Sequence, residues 1–398
     1  MSSTQPVRFA WKPSALSIMV APAMDIPHES QAQIEPLVEQ RRTIARTPHD
    51  RGLYLALAPM DGVTDWVHRE LATELGGVSQ CVTEFVRVTD RAPPKRVFLR
   101  TCPELRQGGL TASGVPVFVQ LLGGDAGAMA DAARVAAELG APGIDINFGC
   151  PAKRVNNHDG GASILRCPER AGQITRAVRD AVKRDIPVSA KIRLGWADSD
   201  SVIEIARSVE QGGASWLTIH GRTKAQMYAP PVDYTAIGRA RAALKIPVVA
   251  NGDLASREAL LACARQSGAR AFMIGRGALA HPYLFRLLRS EDSAGEGALE
   301  ALWSYCQVLR RYDQLMERGG FLPGSRLSRL KQWLGLARTF NQALVPLFDR
   351  VKRSSTLEDA LSQLEPSPIQ AEALSFVRVP VHVPVCDLAF ASASPTGT

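Results

Sequence analysis

Short apolar runs alternate with helical segments along the first three quarters of this chain. The apolar runs have the length of buried strands, and they lie at residues 53–60, 81–86, 115–122, 143–148, 187–194, 215–220, 246–252 and 271–277. Between them, segments such as 126–140 and 201–213 have helical spacing and end in glycine. Eight β/α units in a row favour a closed parallel barrel over an open sheet, so we predict an α/β fold, a (β/α)8 TIM barrel.

The pattern changes near residue 298, where helical spacing continues without strands. We therefore predict a barrel over residues 52–297 and a small C-terminal helical domain over 298–370. Residues 1–51 contain six prolines and no sustained period, which indicates an extension with little packed structure. The end of the chain, 371–398, reads as a flexible tail.

Composition limits the class of protein. Of the 398 residues, 45% are hydrophobic and 22% are charged, as in soluble globular proteins, and no apolar run approaches the ~20 residues of a membrane span. The seven cysteines form no CxxC pair, so we expect no metal site and no disulfide framework. Because no long apolar run occurs, we also expect no membrane partner. A short apolar stretch after Lys12 faintly resembles a signal peptide, but the chemistry below favours a cytoplasmic protein, which we expect to be a monomer.

Positive charge is concentrated in one region of the sequence. The net charge is +8, and residues 310–353 hold ten basic and three acidic side chains. Such a cluster predicts a polyanionic partner. The alternative is a solvated helical surface.

Polar residues follow nearly every predicted strand. In a TIM barrel the carboxyl ends of the strands surround one pocket, so these residues predict a shared site. The polar strand ends and their immediate neighbours are Pro59, Met60, Asp61, Glu84, Gln120, Asn147, Cys150, Lys191, His220, Asn251, Gly252, Gly275 and Arg276.

Two glycines after the seventh and eighth strands indicate a phosphate site. Backbone N–H groups at Gly252 and Gly275 can bind phosphate, and Arg276 can add a charge-assisted bond; the alternative is two tight turns. A phosphate here, together with Lys191 near the N1–C2 carbonyl of a reduced ring, fits flavin mononucleotide (FMN). The predicted cofactor residues are Pro59, Met60, Asp61, Gln120, Lys191, His220, Asn251, Gly252, Asp253, Gly275 and Arg276.

Several motifs resemble those of a known enzyme family. They are LAPMDGVTD, DINFGCPAKRVNNHDGGASIL, AKIRLGW, HGRTKAQMY, VVANGD and MIGRG. In this order, from about residue 53 to 355, the chain resembles the tRNA-dihydrouridine synthases, flavoenzymes that reduce uridine in tRNA. The segments TEFVRV, TCPEL, VQLLG and RLKQWL are most like the C subfamily, which implies uridine 16 of the D-loop as substrate. The residue 1–51 extension and the tail have no counterpart in the family.

The resemblance implies that Cys150 is the catalytic residue and that NADPH is the electron donor. Reduction of the uracil C5=C6 bond needs a hydride at C6 and a proton at C5, and a thiol of ordinary pKa is protonated at neutral pH. Cys150 is then a general acid. Lys153 and His158 lie nearby in sequence, so a partly lowered thiol pKa stays open.

The resemblance also implies tRNA contacts. Asn147 would bond the extruded uracil and Tyr228 would touch it. Residues that would orient or contact the tRNA are Arg87, Arg329, Lys331 and Lys352. The barrel would bind FMN and the helical domain would bind tRNA. Alternatives are a flavin enzyme for a small pyrimidine, an enzyme for another D-loop uridine, and an inactive RNA-binding module.

Overall fold

The computed structural model of the chain describes residues 47–49, 52–157, 159–289 and 298–364. The predicted extension, apart from residues 47–49, and the whole predicted tail lie outside these ranges. His158, considered above as a neighbour of Cys150, lies outside them as well.

A closed parallel barrel forms the larger part of the described chain. Its strands are β1 (Tyr54–Leu57), β2 (Gln80–Val82), β3 (Val86–Arg87), β4 (Val117–Leu122), β5 (Ile144–Phe148), β6 (Val188–Arg193), β7 (Trp216–His220), β8 (Val248–Asn251) and β9 (Ala271–Ile274). Both β2 and β3 pair with β4, and β1 pairs with β2 and β9. The two short strands thus fill one position of an eight-stranded barrel, which confirms the predicted fold.

Helices cover the outside of the barrel and continue beyond it. They are α1 (Trp66–Glu74), α2 (Lys95–Thr101), α3 (Ala126–Glu138), α4 (Lys153–Asn156), α5 (Pro168–Ala181), α6 (Val202–Gln211), α7 (Tyr234–Ala242), α8 (Arg257–Ser267), α9 (Arg276–Ala280), α10 (Leu284–Arg289), α11 (Ala298–Arg318), α12 (Pro323–Ala337), α13 (Val345–Val351) and α14 (Leu357–Ser362). Single 3₁₀ turns occur at Pro103–Gln107, Gly161–Arg166 and Gln342–Leu344.

The second predicted strand is interrupted between β2 and β3. Thr83 causes the break, because its Oγ1 accepts the hydrogen bond from Gln120 N at 3.0 Å. The side-chain oxygen of Thr83 thus takes the place of the backbone carbonyl that would continue the hydrogen bonding between the second strand and β4. Pairing resumes at Val86, opposite Leu121. The interruption leaves Glu84 at the carboxyl end of the barrel.

Inward-facing side chains change from apolar to polar along the barrel axis. Alternate strand residues point inward. Near the amino ends of the strands they are apolar and buried, and the rings of Phe118 and Trp216 lie 5.4 Å apart. Two or four residues further along the same strands, the inward positions are polar, as at Gln120, Thr218 and His220. The apolar layer closes one end of the barrel, and the polar layer forms the floor of a site at the other.

The helical segment after the barrel packs against α1 and α9. Its buried face joins Val67 and Leu71 of α1 in one hydrophobic cluster. Trp333 Nε1 donates a 3.0 Å hydrogen bond to the carbonyl of Leu279, and Tyr305 Oη donates to the same oxygen at 2.9 Å. Because α9 directly follows the last barrel strand, this contact places the helical segment beside the carboxyl end of the barrel.

Candidate active site

The polar strand ends lie together at the carboxyl end of the barrel. Register brings them side by side: Asn147 lies opposite Lys191, and His220 lies opposite Asn251. Within the described part of the chain, no group of His, Cys, Asp or Glu could hold a metal ion. No helix in that part is long and apolar enough to span a membrane, and the six cysteines it contains are free thiols.

Cys150 lies in a turn that Asn147 organises. The Oδ1 atom of Asn147 accepts hydrogen bonds from Gly149 N and from Cys150 N, each at 2.9 Å. The carbonyl of Cys150 accepts from Ala162 N at 3.1 Å and from Asn156 Nδ2 at 3.1 Å. Burial raises the pKa of the Cys150 thiol, and the nearby Asp61 raises it further. The thiol is therefore protonated at neutral pH and half-accessible.

A buried chain of hydrogen bonds fixes the orientation of Asn147. Its Nδ2 donates to Gln120 Oε1 at 2.8 Å, and Gln120 Nε2 donates to Asp145 Oδ2 at 2.7 Å. Ser189 Oγ donates to Asp145 Oδ1 at 2.6 Å. These hydrogen bonds determine which atom of each amide, in Asn147 and in Gln120, is the oxygen and which is the nitrogen. The Asn147 side chain, which holds Cys150, therefore has one favoured orientation.

The Lys191 side chain is half-buried and desolvated, and it has no hydrogen bond or ion pair among the described residues. Desolvation, followed by the neighbouring Arg193, lowers its pKa to about 8, although Asp145 and Cys150 oppose the shift. A buried unpaired ammonium is costly. An electron-rich ligand atom in the pocket would complete its hydrogen bonding.

His220 lies among cations. Desolvation lowers its pKa well below the ordinary value, and Lys191, Arg193, Arg222 and Arg276 lower it further. His220 is therefore neutral at physiological pH.

A two-arginine clamp lies beside His220. Arg222 binds both carboxylate oxygens of Asp253, Nη1 to Oδ1 at 3.0 Å, and Arg276 Nη2 reaches Oδ1 at 3.0 Å. Although burial opposes it, these two arginines hold the Asp253 pKa below its usual range. One carboxylate between two guanidinium groups leaves a net positive site that suits an anion.

Glycines in the loops after β8 and β9 lie against neighbouring residues, most closely at Gly277. A Cβ on Gly277 would meet the carbonyl oxygen of Leu254 at 2.2 Å, so only glycine allows α9 to pack on the loop after β8. Gly252 has φ +135° and cannot be replaced without strain. Next to Gly275 lies the Sδ atom of Met60, 3.4 Å from the position a Cβ would take. The loops after β1, β8 and β9 therefore form one wall.

The loop after β1 is held at both ends. Thr64 Oγ1 accepts from Met60 N at 2.6 Å, and Glu84 Oε1 accepts from Gly62 N at 2.5 Å. Burial, with the carboxylates of Asp65 and Asp61, raises the pKa of Glu84 to about 7. Burial also raises the pKa of Asp61. Glu84 thus fixes the loop that carries Pro59, Met60 and Asp61.

Arg193 joins the two loops on the other side of the pocket. Its Nε donates to the carbonyl of Gly149 at 2.9 Å, and its Nη1 donates to the carbonyls of Thr223 at 3.0 Å and Met227 at 2.6 Å. One buried guanidinium therefore ties the Cys150 turn to the loop that ends in Tyr228. The Tyr228 side chain is 52% exposed, and its ring lies near Arg193 and Arg276, 5.3 and 5.0 Å from ring centre to guanidinium carbon.

The residues predicted to contact tRNA have different surroundings. Arg87 ends β3 at the carboxyl end of the barrel. Arg329 lies in an ion pair with Asp65 of 2.5 Å, and Lys331 Nζ donates to the carbonyl of Ser354 at 2.6 Å. Lys352 pairs with Asp349 at 2.5 Å on the surface. Three of these cations already have partners within the chain.

Two site arginines, Arg193 and Arg222, were not selected from the sequence. Both lie two residues beyond a selected residue, Lys191 and His220 respectively. Side chains alternate between the two faces of a strand, so Arg193 shares a face of β6 with Lys191. This alternation indicates from the sequence that Arg193 belongs to the site. Arg222 follows a strand end, where spacing does not determine orientation.

Comparison with known proteins agrees with this architecture. The family model described as "Dihydrouridine synthase (Dus)" matches residues 56–365. A tRNA-dihydrouridine(16) synthase from Haemophilus influenzae is 44% identical over 307 residues, 76% of this chain and 96% of that protein. The protein of the same name from Salmonella typhimurium is 43% identical over 314 residues, 78% and 98% of the two chains.

A more distant relative and a solved structure complete the comparison. The tRNA-dihydrouridine(16) synthase of Neisseria meningitidis is 40% identical over 309 residues, 77% of this chain and 91% of that protein. The histamine dehydrogenase structure from Rhizobium sp. 4-9 aligns with a TM-score of 0.47 and 13% identity, over 69% of this chain and 51% of that chain. From the family match and the relatives above 40% identity, this chain belongs to the dihydrouridine synthase family.

Proposed function

We propose that this protein reduces the C5=C6 bond of uridine in tRNA to 5,6-dihydrouridine, at position 16 of the D-loop, with FMN as cofactor and NADPH as electron donor. The observation that carries the proposal is the position of the half-buried Cys150, whose N–H is held by Asn147 Oδ1 at 2.9 Å beside a cationic pocket, and burial raises the pKa of its thiol. The relatives named above, which align over nearly their whole length, support the substrate and the position.

The cationic pocket fits FMN. Lys191 lacks a partner, and a flavin N1–C2 carbonyl would supply one. The Arg222–Asp253–Arg276 cluster and the backbone at Gly252 and Gly275 suit the phosphate. The backbone of Pro59 and Met60 would lie against the ring, and Gln120 and Asn251 would bond its edge or the ribitol. FMN held by these residues and reduced by NADPH would supply a hydride for uracil C6.

The residues on the substrate side complete the reaction. Cys150 donates its proton to C5 as the hydride reaches C6, so the two additions give the saturated ring. Asn147 bonds the extruded uracil and positions the thiol through the peptide N–H it already holds. Tyr228, exposed above the pocket, contacts the same base. His220 stays neutral, so its ring offers one N–H donor and one acceptor nitrogen to a ligand in the pocket.

The tRNA itself is contacted on both sides of the pocket. We propose that Arg87 binds it from the barrel, and that Arg329, Lys331 and Lys352 bind it from the helical segment. The last three would exchange their present partners, Asp65, the Ser354 carbonyl and Asp349, for phosphate.

The purified protein should contain FMN and convert unmodified tRNA to tRNA with dihydrouridine at position 16 when NADPH is supplied. Mapping of dihydrouridine by reverse-transcription stops or mass spectrometry gives the position. Product at another D-loop position would overturn the site assignment. Equal activity on free uridine would instead support a small pyrimidine substrate.

A further inference from the structure

We propose that four cations around the carboxyl end of the barrel bind the phosphates of the RNA strand that flanks the target uridine. These residues, Lys153, Arg154, Arg166 and Lys224, are here called the cationic rim. The inference rests on the proposed function and adds a second RNA surface, separate from the helical segment.

Two connections supply the rim, the one after β5 and the one after β7. In the first, Lys153 and Arg154 begin α4 and Arg166 ends the 3₁₀ turn before α5; Lys224 lies in the second. The two halves of the first connection are packed together, because a Cβ on Gly161 would lie 2.8 Å from Val155.

Trp196 holds two of the rim cations. The guanidinium carbon of Arg166 lies 3.7 Å from the centre of the Trp196 ring, and Lys224 Nζ lies 4.3 Å from it. The loop of Lys224 is fixed to this tryptophan by backbone bonds, Lys224 N to the Gly195 carbonyl and Ala225 N to the Trp196 carbonyl, both at 2.9 Å. The Trp196 ring holds both positive charges without neutralising them.

The rim cations have no carboxylate partner among the described residues, and this separates them from their neighbours. Arg170, four residues from Arg166, pairs with Asp159 at 2.6 Å. The nearby carboxylate of Asp198 accepts a hydrogen bond from Asp200 N within its own loop. In the helical segment, Arg311 and Arg326 are also bound to carboxylates. The rim is therefore ready to take an external anion.

The position of the rim identifies that anion as RNA. Lys153 is three residues from Cys150 in the turn that Asn147 organises, and Lys224 lies in the loop that Arg193 ties to the same turn. An oligonucleotide with its base at Cys150 must place its adjoining phosphates within reach of these loops. Phosphates bound by cations fix the register of a nucleic acid and carry no sequence information.

The decisive experiment measures tRNA binding as a function of salt. The double variant Arg166→Ala/Lys224→Ala should lower the slope of log K against log salt by about 1.4 to 1.8, the value for two phosphate contacts. The matched control, Arg207→Ala/Arg265→Ala, removes the same charge from exposed positions on the outer helices α6 and α8. Its slope should equal that of the wild type.

The outcomes separate this inference from the proposed function. If the salt slope of tRNA binding in the rim variant equals that of the wild type, the cationic rim does not bind phosphate, even where the wild type still forms dihydrouridine. A wild type that binds tRNA with the expected slope but forms no dihydrouridine overturns the proposed function and leaves the rim intact. Equal slope changes in the rim variant and its control would reduce the rim to general surface charge.

Lysine acylation of the wild-type holoenzyme gives a test that needs no variant. Bound tRNA should protect Lys153 and Lys224 from an N-hydroxysuccinimide ester, as read by mass spectrometry. Lys183, exposed between α5 and β6 at the opposite end of the barrel, should react equally with and without tRNA. Reaction of both rim lysines at unchanged rates in saturating tRNA would contradict the inference.

Discussion

Single residues in this site depend on burial for their chemistry. Burial raises the pKa of Cys150 and lowers that of Lys191, so it keeps the thiol protonated and makes the amine easier to deprotonate. An acid and a cation thus lie close together without forming a thiolate–ammonium pair. This arrangement suits proton donation and disfavours a nucleophilic thiolate.

Cys150→Ala should separate binding from chemistry. FMN and tRNA should still bind, and NADPH should still reduce the flavin, because that half-reaction needs no proton at uracil C5. Reoxidation of the reduced enzyme by tRNA should slow by about 10²–10⁴-fold, the usual effect of a positioned general acid. Single-turnover mixing measures this rate, with Cys167→Ala, an exposed thiol, as control. Reoxidation at the wild-type rate would mean that another group supplies the proton.

Lys191→Met should weaken FMN binding and stabilise the apoprotein. Removal of a buried unpaired charge should raise the free energy of unfolding at pH 7 by about 1–3 kcal/mol, since one pKa unit corresponds to ~1.4 kcal/mol. The wild-type lysine opposes folding fully below its folded pKa of about 8, and this penalty vanishes as the pH rises toward the unfolded value of 10.5. The advantage of the variant in urea unfolding should therefore shrink between pH 8 and 10.5. A stability difference between variant and wild type that stays constant from pH 8 to 10.5 would contradict the lowered pKa of Lys191.

Most of the site could be predicted residue by residue because strand ends in a barrel share one location. Gln120, Lys191 and His220 were found in this way. Hydrogen-bond partners were not, since Asp145 and Ser189 look like ordinary strand residues until register places them beside Gln120 and each other.

Whole elements are positioned by a few side chains that cross between them. The Cys150 turn and the Tyr228 loop share Arg193, and the loop after β1 shares Glu84 with the second strand. Loop conformation here follows from buried donors and acceptors more than from local sequence.

Arg193→Lys should loosen both loops while keeping the charge. An ammonium cannot bond three carbonyls in the geometry of the guanidinium fork, so we expect a loss of about 1–3 kcal/mol in stability. Amide hydrogen exchange should rise together in residues 149–152 and 223–229, and tRNA-dependent reoxidation should slow. Arg179→Lys is the control, because Arg179 also bonds backbone carbonyls, at the far end of the barrel. An increase in amide hydrogen exchange confined to one of the two loops would show that Arg193 does not link the loops.

The broken second strand shows where element prediction from sequence is limited. The run at 81–86 is rich in strand-forming residues, and only Glu84 mildly disfavours a strand. The break arises because Thr83 Oγ1 bonds a neighbouring strand, a tertiary event that local pattern does not record.

At the scale of the whole molecule, the barrel and the helical segment meet through Asp65 and Arg329. Asp65 caps α1 by accepting from His68 N at 3.2 Å, and the same carboxylate pairs with Arg329. Burial opposes ionisation of Asp65, whereas Arg329 favours it. The pair therefore links α12 to the loop that carries the predicted flavin contacts.

A double-mutant cycle on this pair tests whether Arg329 docks the helical segment or binds RNA. Asp65→Asn and Arg329→Gln should each lower the free energy of unfolding, and the double variant should lose less than the sum, with a coupling energy of about 1–3 kcal/mol. If Arg329 also binds phosphate, as proposed, Arg329→Gln lowers the salt slope of tRNA binding by about one and Asp65→Asn leaves it unchanged or raises it. Additive losses of stability would contradict the docking role of Arg329. A salt slope equal to that of the wild type in Arg329→Gln would contradict its RNA-binding role.

The internal pairing of cations such as Arg311, Arg326 and Lys352 has a consequence for how the enzyme finds its substrate. An RNA phosphate that approaches one of these three side chains must first displace the carboxylate bound to it. Loose adhesion to ribosomal and messenger RNA is thereby weakened, since non-specific affinity comes from such contacts. An RNA whose folded shape satisfies several of these contacts together should therefore stay bound longer than an unstructured one.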